Sequence, residues 1–341
     1  MKKLFAQLNE EKKGEIIIFV EAILWSLFPV VTILSYKSIS PLLSLAWSSL
    51  FMTIFFGVIL FFKKGWHDLR NKEAFKDILL ATFILGIVYY LFYFIGLRYT
   101  TAGNASLIAQ TEIFFSFLFF NIWHKEYISF EHIMGAILML IGAGIVLYPN
   151  VHNFQIGDLM ILTASLIAPL GNFFQRRARK KVKSEAILFV RSLISTPVIF
   201  IVAYFAKVNF ASINFDKTLM LLIINGILLL GLSKLLWVEG IHRINVMKAN
   251  ALNSIAPLST LLFAWMLIGD IPTKFQLLAF IPMFFGVILL SMNKKKNFRQ
   301  FFCKSFSRLC FPIGKHRQKT ESCQISDIVC KQYLTCDKPI N

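Results

Sequence analysis

Long apolar stretches alternate with short polar joints along most of the chain. Ten stretches of about 17–23 residues each come close to the length at which an α-helix crosses a hydrocarbon core of ~30 Å. Joints as short as 98–102 and 269–275 require the neighbouring helices to run antiparallel. The pattern predicts an all-α integral membrane protein with ten transmembrane helices, over residues 16–35, 42–62, 78–97, 103–123, 131–148, 157–175, 186–206, 218–239, 246–268 and 276–292.

Composition supports lipid as the solvent. The 341 residues are 57% hydrophobic and 16% charged, with a mean hydropathy of +0.65 and 36 Phe. Soluble domains contain about 45–50% apolar and about 25% charged residues. A soluble enzyme and a disordered chain are therefore excluded as descriptions of the whole sequence.

The net charge of +18 would suit a nucleic-acid partner, but the positions of the basic residues indicate orientation in a membrane instead. If the N-terminus is cytoplasmic, the cytoplasmic lead and loops contain 18 Lys or Arg and the opposite loops contain five. This asymmetry predicts a multi-pass protein of the cytoplasmic (inner) membrane with both termini cytoplasmic, surrounded by the lipid bilayer. No nucleic-acid partner is expected.

The spans divide the chain into four regions. A cytoplasmic lead, 1–15, precedes five-helix halves at 16–149 and 156–292, and a basic tail covers 293–341. The tail is expected to be disordered and held near anionic lipid, with partner binding as the alternative. It contains all five cysteines, and no two are spaced as C-x-x-C, so a zinc site is not predicted. Their odd number argues against a closed disulfide set, and reduced thiols are favoured, with a metal or lipidation near the bilayer as the alternatives.

The two halves are related by an internal repeat. A shift of 144 residues superposes Gly96 on Gly240, Ala105 on Ala249, Glu126 on Asp270 and Gly142 on Gly286. Because each half has an odd number of spans, the second half enters the membrane from the opposite side. Inverted repeats of this kind are typical of transporters whose site lies between the halves and is exposed to each side in turn.

Two runs carry a family resemblance. The run from Gly96 to Leu107, with His124-Lys125-Glu126 after it, and the run from Ala249 to Pro257, with Gly269-Asp270 after it, resemble the paired signatures of EamA-type proteins of the drug/metabolite transporter superfamily. The resemblance covers 16–292. It implies a five-plus-five bundle with a cavity lined by spans 1, 3, 4, 6, 8 and 9. Ile113 stands where the second half has Pro257, so the helix-breaking residue that the family often has in span 4 is missing.

Four charged residues away from the outermost residues of the predicted spans stand out, namely Glu21, Glu112, Arg191 and Lys234. A charge in a spanning helix costs roughly 2.5–3.5 kcal/mol on insertion scales, so each requires a partner, a water-filled cavity or a functional role. Glu21 is either a gate partner of Lys234 or a solvated helix end, with the solvated end favoured. Arg191 is favoured as a structural or interfacial residue, and Lys234 either binds in the site or extends to the interface.

Glu112 is the most central of these charges. On a helical wheel it shares a stripe with Asn104 and Thr111, which predicts a polar cavity wall ending in a carboxylate. That carboxylate would bind a cationic or amine group, or carry a proton. The alternative is a Glu neutralised by a fixed basic partner for packing.

Aromatic and amide side chains complete the candidate site. Tyr89, Tyr90 and Tyr93 share a face of span 3, and the repeat aligns Lys234 and Trp237 with the last two of them. Such walls suit an organic solute that needs apolar contact and a few fixed polar groups, although ordinary helix packing remains an alternative. The predicted binding set is Trp25, Tyr89, Tyr90, Tyr93, Asn104, Glu112, Lys234, Trp237, Asn250 and Asn253, with Glu21 and Glu112 in coupling or gating.

The sequence contains none of the common nucleotide-binding, zinc-protease or esterase motifs, and no cofactor or metal is predicted. We therefore expect a secondary transporter of a small organic metabolite, such as an amino acid-like solute, with proton coupling as an added hypothesis. The alternatives are a membrane scaffold acting through the basic tail, a nucleotide-type or cofactor-type uptake exchanger, and a membrane enzyme. Assembly as a homodimer is left open.

Overall fold

Helices account for the regular structure of the chain in a computed structural model that describes residues 9–124, 130–148, 155–208, 215–244 and 246–291. Within these ranges ten long helical segments follow one another, a short 3-10 helix, Gly65–Arg70, lies between the second and the third, and no strand is formed. The segments are α1 (Glu10–Ser35), α2 (Pro41–Phe62), α3 (Lys72–Leu97), α4 (Ala102–Ala109 and Thr111–His124), α5 (Phe130–Leu147), α6 (Ile156–Arg179), α7 (Ser184–Phe205), α8 (Phe215–Arg243), α9 (Val246–Asn253 and Ala256–Ile268) and α10 (Lys274–Leu290).

The predicted ten-helix architecture is confirmed, with some changes at the boundaries. Eight of the ten described segments are long and apolar enough to cross a bilayer, α10 is a shorter apolar helix of 17 residues, and α4 is divided into two pieces. Helix α1 begins at Glu10, so the predicted lead 1–15 overlaps its first turns. The tail 293–341 lies outside the described residues, as does Glu126 of the repeat alignment.

Local sequence explains where several helices begin and end. The Asn9 side chain accepts a hydrogen bond from the backbone of Lys12 at 2.8 Å and caps α1. At the start of α10, Thr273 and Gln276 form a reciprocal capping box. Helix α9 ends at Ile268 and is capped by Gly269, whose φ of 78° is a left-handed conformation that glycine adopts without strain.

The two halves are interleaved rather than placed side by side. The most extensive helix pairs in the described residues are α5 with α10, α2 with α7, α1 with α8 and α3 with α6. Every one of these pairs joins a helix of the first half to a helix of the second. A pseudo-twofold operation that exchanges the halves maps the first two pairs onto themselves and exchanges the last two, as an inverted repeat requires.

Irregular helical turns also recur at equivalent places. A π-helical segment occupies Thr82–Val88 in α3, and another occupies Ile224–Leu232 in α8, which overlaps it after a shift of 144 residues. Helix α4 breaks at Gln110, and α9 breaks at Ser254, the position related to Gln110 by the same shift. Helix α4 therefore breaks although it has Ile113 where α9 has Pro257. The break precedes that position and needs no proline.

Ion pairs gather where α1 begins. Lys248 of α9 pairs with Glu11 at 2.6 Å and also with Glu15, while Arg243 of α8 pairs with Glu10 at 3.2 Å. These side chains connect the first helix of the bundle to two helices of the second half. The same end carries the bidentate pair of buried Asp77 with Arg177, with distances of 2.8 and 3.0 Å.

Candidate functional site

A cavity of about 120 Å³ lies between the two halves. Six helices, α1, α3, α4, α6, α8 and α9, supply nearly all of its wall, as the family resemblance implies, and α7 adds Arg191. Ten of the eleven residues predicted for binding, coupling or gating lie in this wall. They are Glu21, Trp25, Tyr89, Tyr90, Tyr93, Glu112, Lys234, Trp237, Asn250 and Asn253.

The repeat organises the wall but the charges break its symmetry. Ser106, Ala109 and Glu112 of α4 line the cavity, and so do the three positions of α9 related to them by 144 residues, namely Asn250, Asn253 and Ala256. The position equivalent to Glu112 in the second half is therefore occupied by an alanine, Ala256. In the same way, Lys234 on α8 stands where α3 has Tyr90.

Glu112 is fixed by an amide rather than by a basic residue. Asn172 Nδ2 of α6 donates to Glu112 Oε1 at 2.6 Å. Among the described residues Glu112 forms no salt bridge with a Lys or Arg, so the packing alternative, a carboxylate neutralised by a fixed basic partner, is not what the structure contains. Glu112 lies in the wall of the cavity.

Glu21 and Lys234 are both inside the bundle. Glu21 is 1% exposed and accepts a hydrogen bond from Ser233 Oγ at 3.1 Å, so its assignment to a solvated helix end is wrong. Lys234 does not extend to the interface, because its Nζ lies 3.3 Å from the centroid of the Trp25 ring. A cation over an indole face at this distance has a favourable electrostatic interaction with the ring.

Arg191 lies in the cavity wall as well, so its interfacial placement is wrong, whereas its structural role stays a prediction. It is 3% exposed and donates to Gln175 Oε1 at 2.6 Å. Gln110 and Gln175 also line the cavity and were not among the predicted site residues. Gln175 follows Asn172 by three residues on one face of α6, and that spacing is the signal that could have identified it.

An aromatic stack forms one wall. Trp25 lies against Phe28 with ring centroids 4.7 Å apart, Phe28 contacts Tyr93 at 5.4 Å, and Tyr93 stacks with Tyr89 at 5.7 Å. Phe28 and Tyr93 are almost wholly buried. The stack therefore joins α1 to α3 along one wall of the cavity.

Asn104 is the one predicted binding residue that lies outside the cavity wall. Its Oδ1 accepts from Gln276 Nε2 of α10 at 2.7 Å, and its Nδ2 donates to Asp158 of α6 at 3.5 Å. The helical wheel assumed one continuous helix, but the break at Gln110 changes the phase between the two pieces of α4. Thr111, from the same predicted stripe, bonds to the carbonyl of Ile108 at 2.6 Å.

Two further hydrogen bonds join helices of the two halves. Thr260 of α9 donates to the carbonyl of Ser26 at 2.9 Å, and Asn225 of α8 donates to Thr32 at 3.0 Å. Each bond joins α1 to a helix of the second half. In the described part of the chain, no group of three or more His, Cys, Asp or Glu is placed to hold a metal ion.

This interleaved helical bundle with a charged internal cavity defines a membrane transporter of the two-repeat type. The sequence model of the EamA-like transporter family matches residues 12–148 and 155–292, one match for each half. The chain belongs to this family, as its paired signatures indicate.

Relatives of known sequence are similar over most of their length. The uncharacterized transporter sll1164 of Synechocystis is 21% identical over 261 residues, which cover 70% of this chain and 73% of that protein. The uncharacterized transporter YojE of Bacillus subtilis is 26% identical over 264 residues, or 74% of this chain and 85% of YojE. A crystal structure at 18% identity and a TM-score of 0.64 covers 82% of this chain and 97% of its own, and shares the fold.

Proposed function

We propose that the protein is a secondary active transporter that carries a small zwitterionic metabolite of the amino-acid class across the cytoplasmic membrane by alternating access. The observation that carries the proposal is the cavity between the halves, which contains two carboxylates, Glu21 and Glu112, and two cations, Arg191 and Lys234. Balanced charges of both signs suit a solute that has an amine and a carboxylate of its own.

The size of the cavity supports a small solute. Pockets that enclose drug-sized ligands measure roughly 300–1,000 Å³, well above the volume found here. Aromatic faces on Trp25, Tyr93 and Trp237 offer apolar contact for a side chain, while Asn172 and Asn253 add amide groups to the wall. A nucleotide, the substrate of the exchanger alternative, would need a larger cavity and an excess of positive charge.

The interleaved halves support alternating access. The cavity lies nearer the end at which α1 begins, since Gln175 is four residues from the end of α6 and Asn250 is four from the start of α9. With both termini cytoplasmic, this is the cytoplasmic end, and the hydrogen bonds of Thr260 and Asn225 close the opposite one. The proposal includes proton coupling through Glu112, whose carboxylate faces the cavity.

Reconstitution tests the proposal directly. The purified full chain in proteoliposomes is given a radiolabelled mixture of the protein amino acids and, separately, a mixture of nucleotides, with and without an imposed pH gradient. We expect amino-acid uptake above that of protein-free vesicles, and a higher rate with the gradient. Uptake of nucleotides alone would support the exchanger alternative, and an absence of both fluxes would overturn the proposed substrate class.

A further inference from the structure

The ammonium of Lys234 occupies an aromatic face inside the solute cavity. Its Nζ lies 3.3 Å from the centroid of the Trp25 ring, on the α1 side of the cavity. Among the described residues Lys234 makes no salt bridge, although Glu21 and Glu112 are both within electrostatic range. The cation is thus held by the ring and by two carboxylates at a distance, without a fixed partner.

One carboxylate oxygen beside it lacks a donor. Glu21 Oε1 accepts from Ser233, but Oε2 is buried and has no hydrogen-bond partner among the described residues. An unpaired carboxylate oxygen in a buried site is costly, so it indicates a donor that is present for only part of the time. Trp25 is one helical turn from Glu21, and the two side chains together form an anionic and aromatic subsite of the kind that binds an ammonium.

We propose that Lys234 is a tethered ammonium that fills this amine subsite when the transporter is empty and is displaced when the amine of a solute enters. The inference rests on the proposed function, because it requires a solute with an amine. The lysine stem has four methylenes and several rotatable bonds, so the ammonium can leave the Trp25 face without movement of α8.

This arrangement has a consequence for the transport cycle. Each conformational change buries the cavity, and a carboxylate that is buried without a cation carries a large penalty. With Lys234 in the amine subsite, the empty protein keeps its charges balanced and can return without cargo. Without this lysine, Glu21 has a cation beside it only when the amine of a solute is bound. The protein then changes conformation only with cargo and is restricted to exchange.

Proteoliposomes containing the purified full chain distinguish the two modes. The probe is a radiolabelled mixture of the protein amino acids, and its initial uptake is measured into vesicles that are empty and into vesicles loaded with the unlabelled mixture. For the wild type we expect uptake in both arms. For Lys234→Met we expect the ratio of uptake into empty vesicles to uptake by exchange to fall at least about tenfold, with a lower KM in exchange because the internal competitor is gone.

Two further variants isolate the cause. Lys76→Met removes an exposed lysine from the start of α3 and is expected to leave the ratio at the wild-type value. Glu21→Gln/Lys234→Met removes the carboxylate together with its cation, and its ratio is expected to recover to within about threefold of wild type. If Lys234→Met fails to yield monodisperse protein, Lys234→Gln takes its place.

The outcomes are distinguishable. A wild-type protein that only exchanges, a Lys234→Met ratio equal to that of wild type, or a double variant whose ratio stays low would each overturn the tethered ammonium and leave the proposed transport function standing. A wild type that moves no amino acid in either arm would overturn both.

Discussion

Met139 and Met283 are related by the repeat, and each packs against a glycine of the other's helix. A Cβ added to Gly286 would lie 2.9 Å from Met139 Cγ, and one added to Gly142 would lie 2.1 Å from Met283 Cγ. The two contacts exchange when the halves are exchanged. The pseudo-twofold axis of the bundle therefore passes through the crossing of α5 and α10, where glycine allows the helices to approach closely.

A single methyl group added at this crossing is predicted to lower the stability of the protein substantially. Gly286→Ala would place its Cβ 2.9 Å from the Gly135 carbonyl oxygen and 3.0 Å from the Met139 backbone nitrogen, neither of which can rotate away. We expect a loss of about 1–3 kcal/mol, the usual cost of overpacking. Thermal unfolding in detergent, followed by size-exclusion chromatography, measures it.

Gly144→Ala is the matched control on α5. Its added Cβ would meet nothing within 4 Å, and we expect unfolding at the wild-type temperature. Equal unfolding temperatures for Gly286→Ala and Gly144→Ala would show that the α5 and α10 crossing is looser than the structure indicates.

The register of the repeat is what made the cavity predictable. The shift of 144 residues relates Tyr90 and Tyr93 of α3 to Lys234 and Trp237 of α8, and all four line the cavity. The apolar spans give the number of helices directly. The depth of Glu21 was not predictable, because its distance along α1 says nothing about Ser233 of a distant helix donating to it. Asn104 was misplaced for a local reason, since no proline marks the break at Gln110.

A matched pair of asparagines tests the corrected site. Asn104→Ala removes hydrogen bonds to Gln276 and Asp158 outside the cavity, so we expect lower thermal stability, by about 1–3 kcal/mol, and an unchanged KM. Asn250→Ala truncates a side chain in the wall and is expected to raise KM severalfold with little effect on stability. Uptake kinetics and thermal unfolding are measured for both variants. A raised KM for Asn104→Ala would show that Asn104 contributes to solute binding after all.

Trp25 is predicted to contribute through its ring. Trp25→Phe keeps an aromatic face and is expected to change KM only slightly, whereas Trp25→Leu removes the face and is expected to raise KM about tenfold, which corresponds to the ~1–2 kcal/mol of a partly desolvated cation–π contact. Initial uptake rates over a range of solute concentrations measure both. Equal KM values for the two variants would mean that the ring serves only to pack against Phe28.

Deletion of the tail separates transport from the scaffold alternative. The matched family model ends at residue 292, and the cavity is built wholly from residues before that point. We expect a chain that ends at residue 296 to retain the uptake rate of the full chain in proteoliposomes, because the basic segment after the last helix, Lys294-Lys295-Lys296, is preserved. Loss of uptake in a correctly inserted truncated chain would assign the tail a part in transport.

Glu112 is predicted to couple a proton to the solute. Glu112→Gln keeps the size of the side chain and can still bond to Asn172, but it can neither gain nor lose a proton. We therefore expect exchange of labelled for unlabelled amino acids to persist, while the stimulation of uptake by a pH gradient disappears. Glu73→Gln, an exposed carboxylate at the start of α3, is the control and should retain the stimulation. If Glu112→Gln responds to the gradient as the wild type does, the proton is carried elsewhere, and Glu21, the other buried carboxylate of the wall, becomes the residue to test.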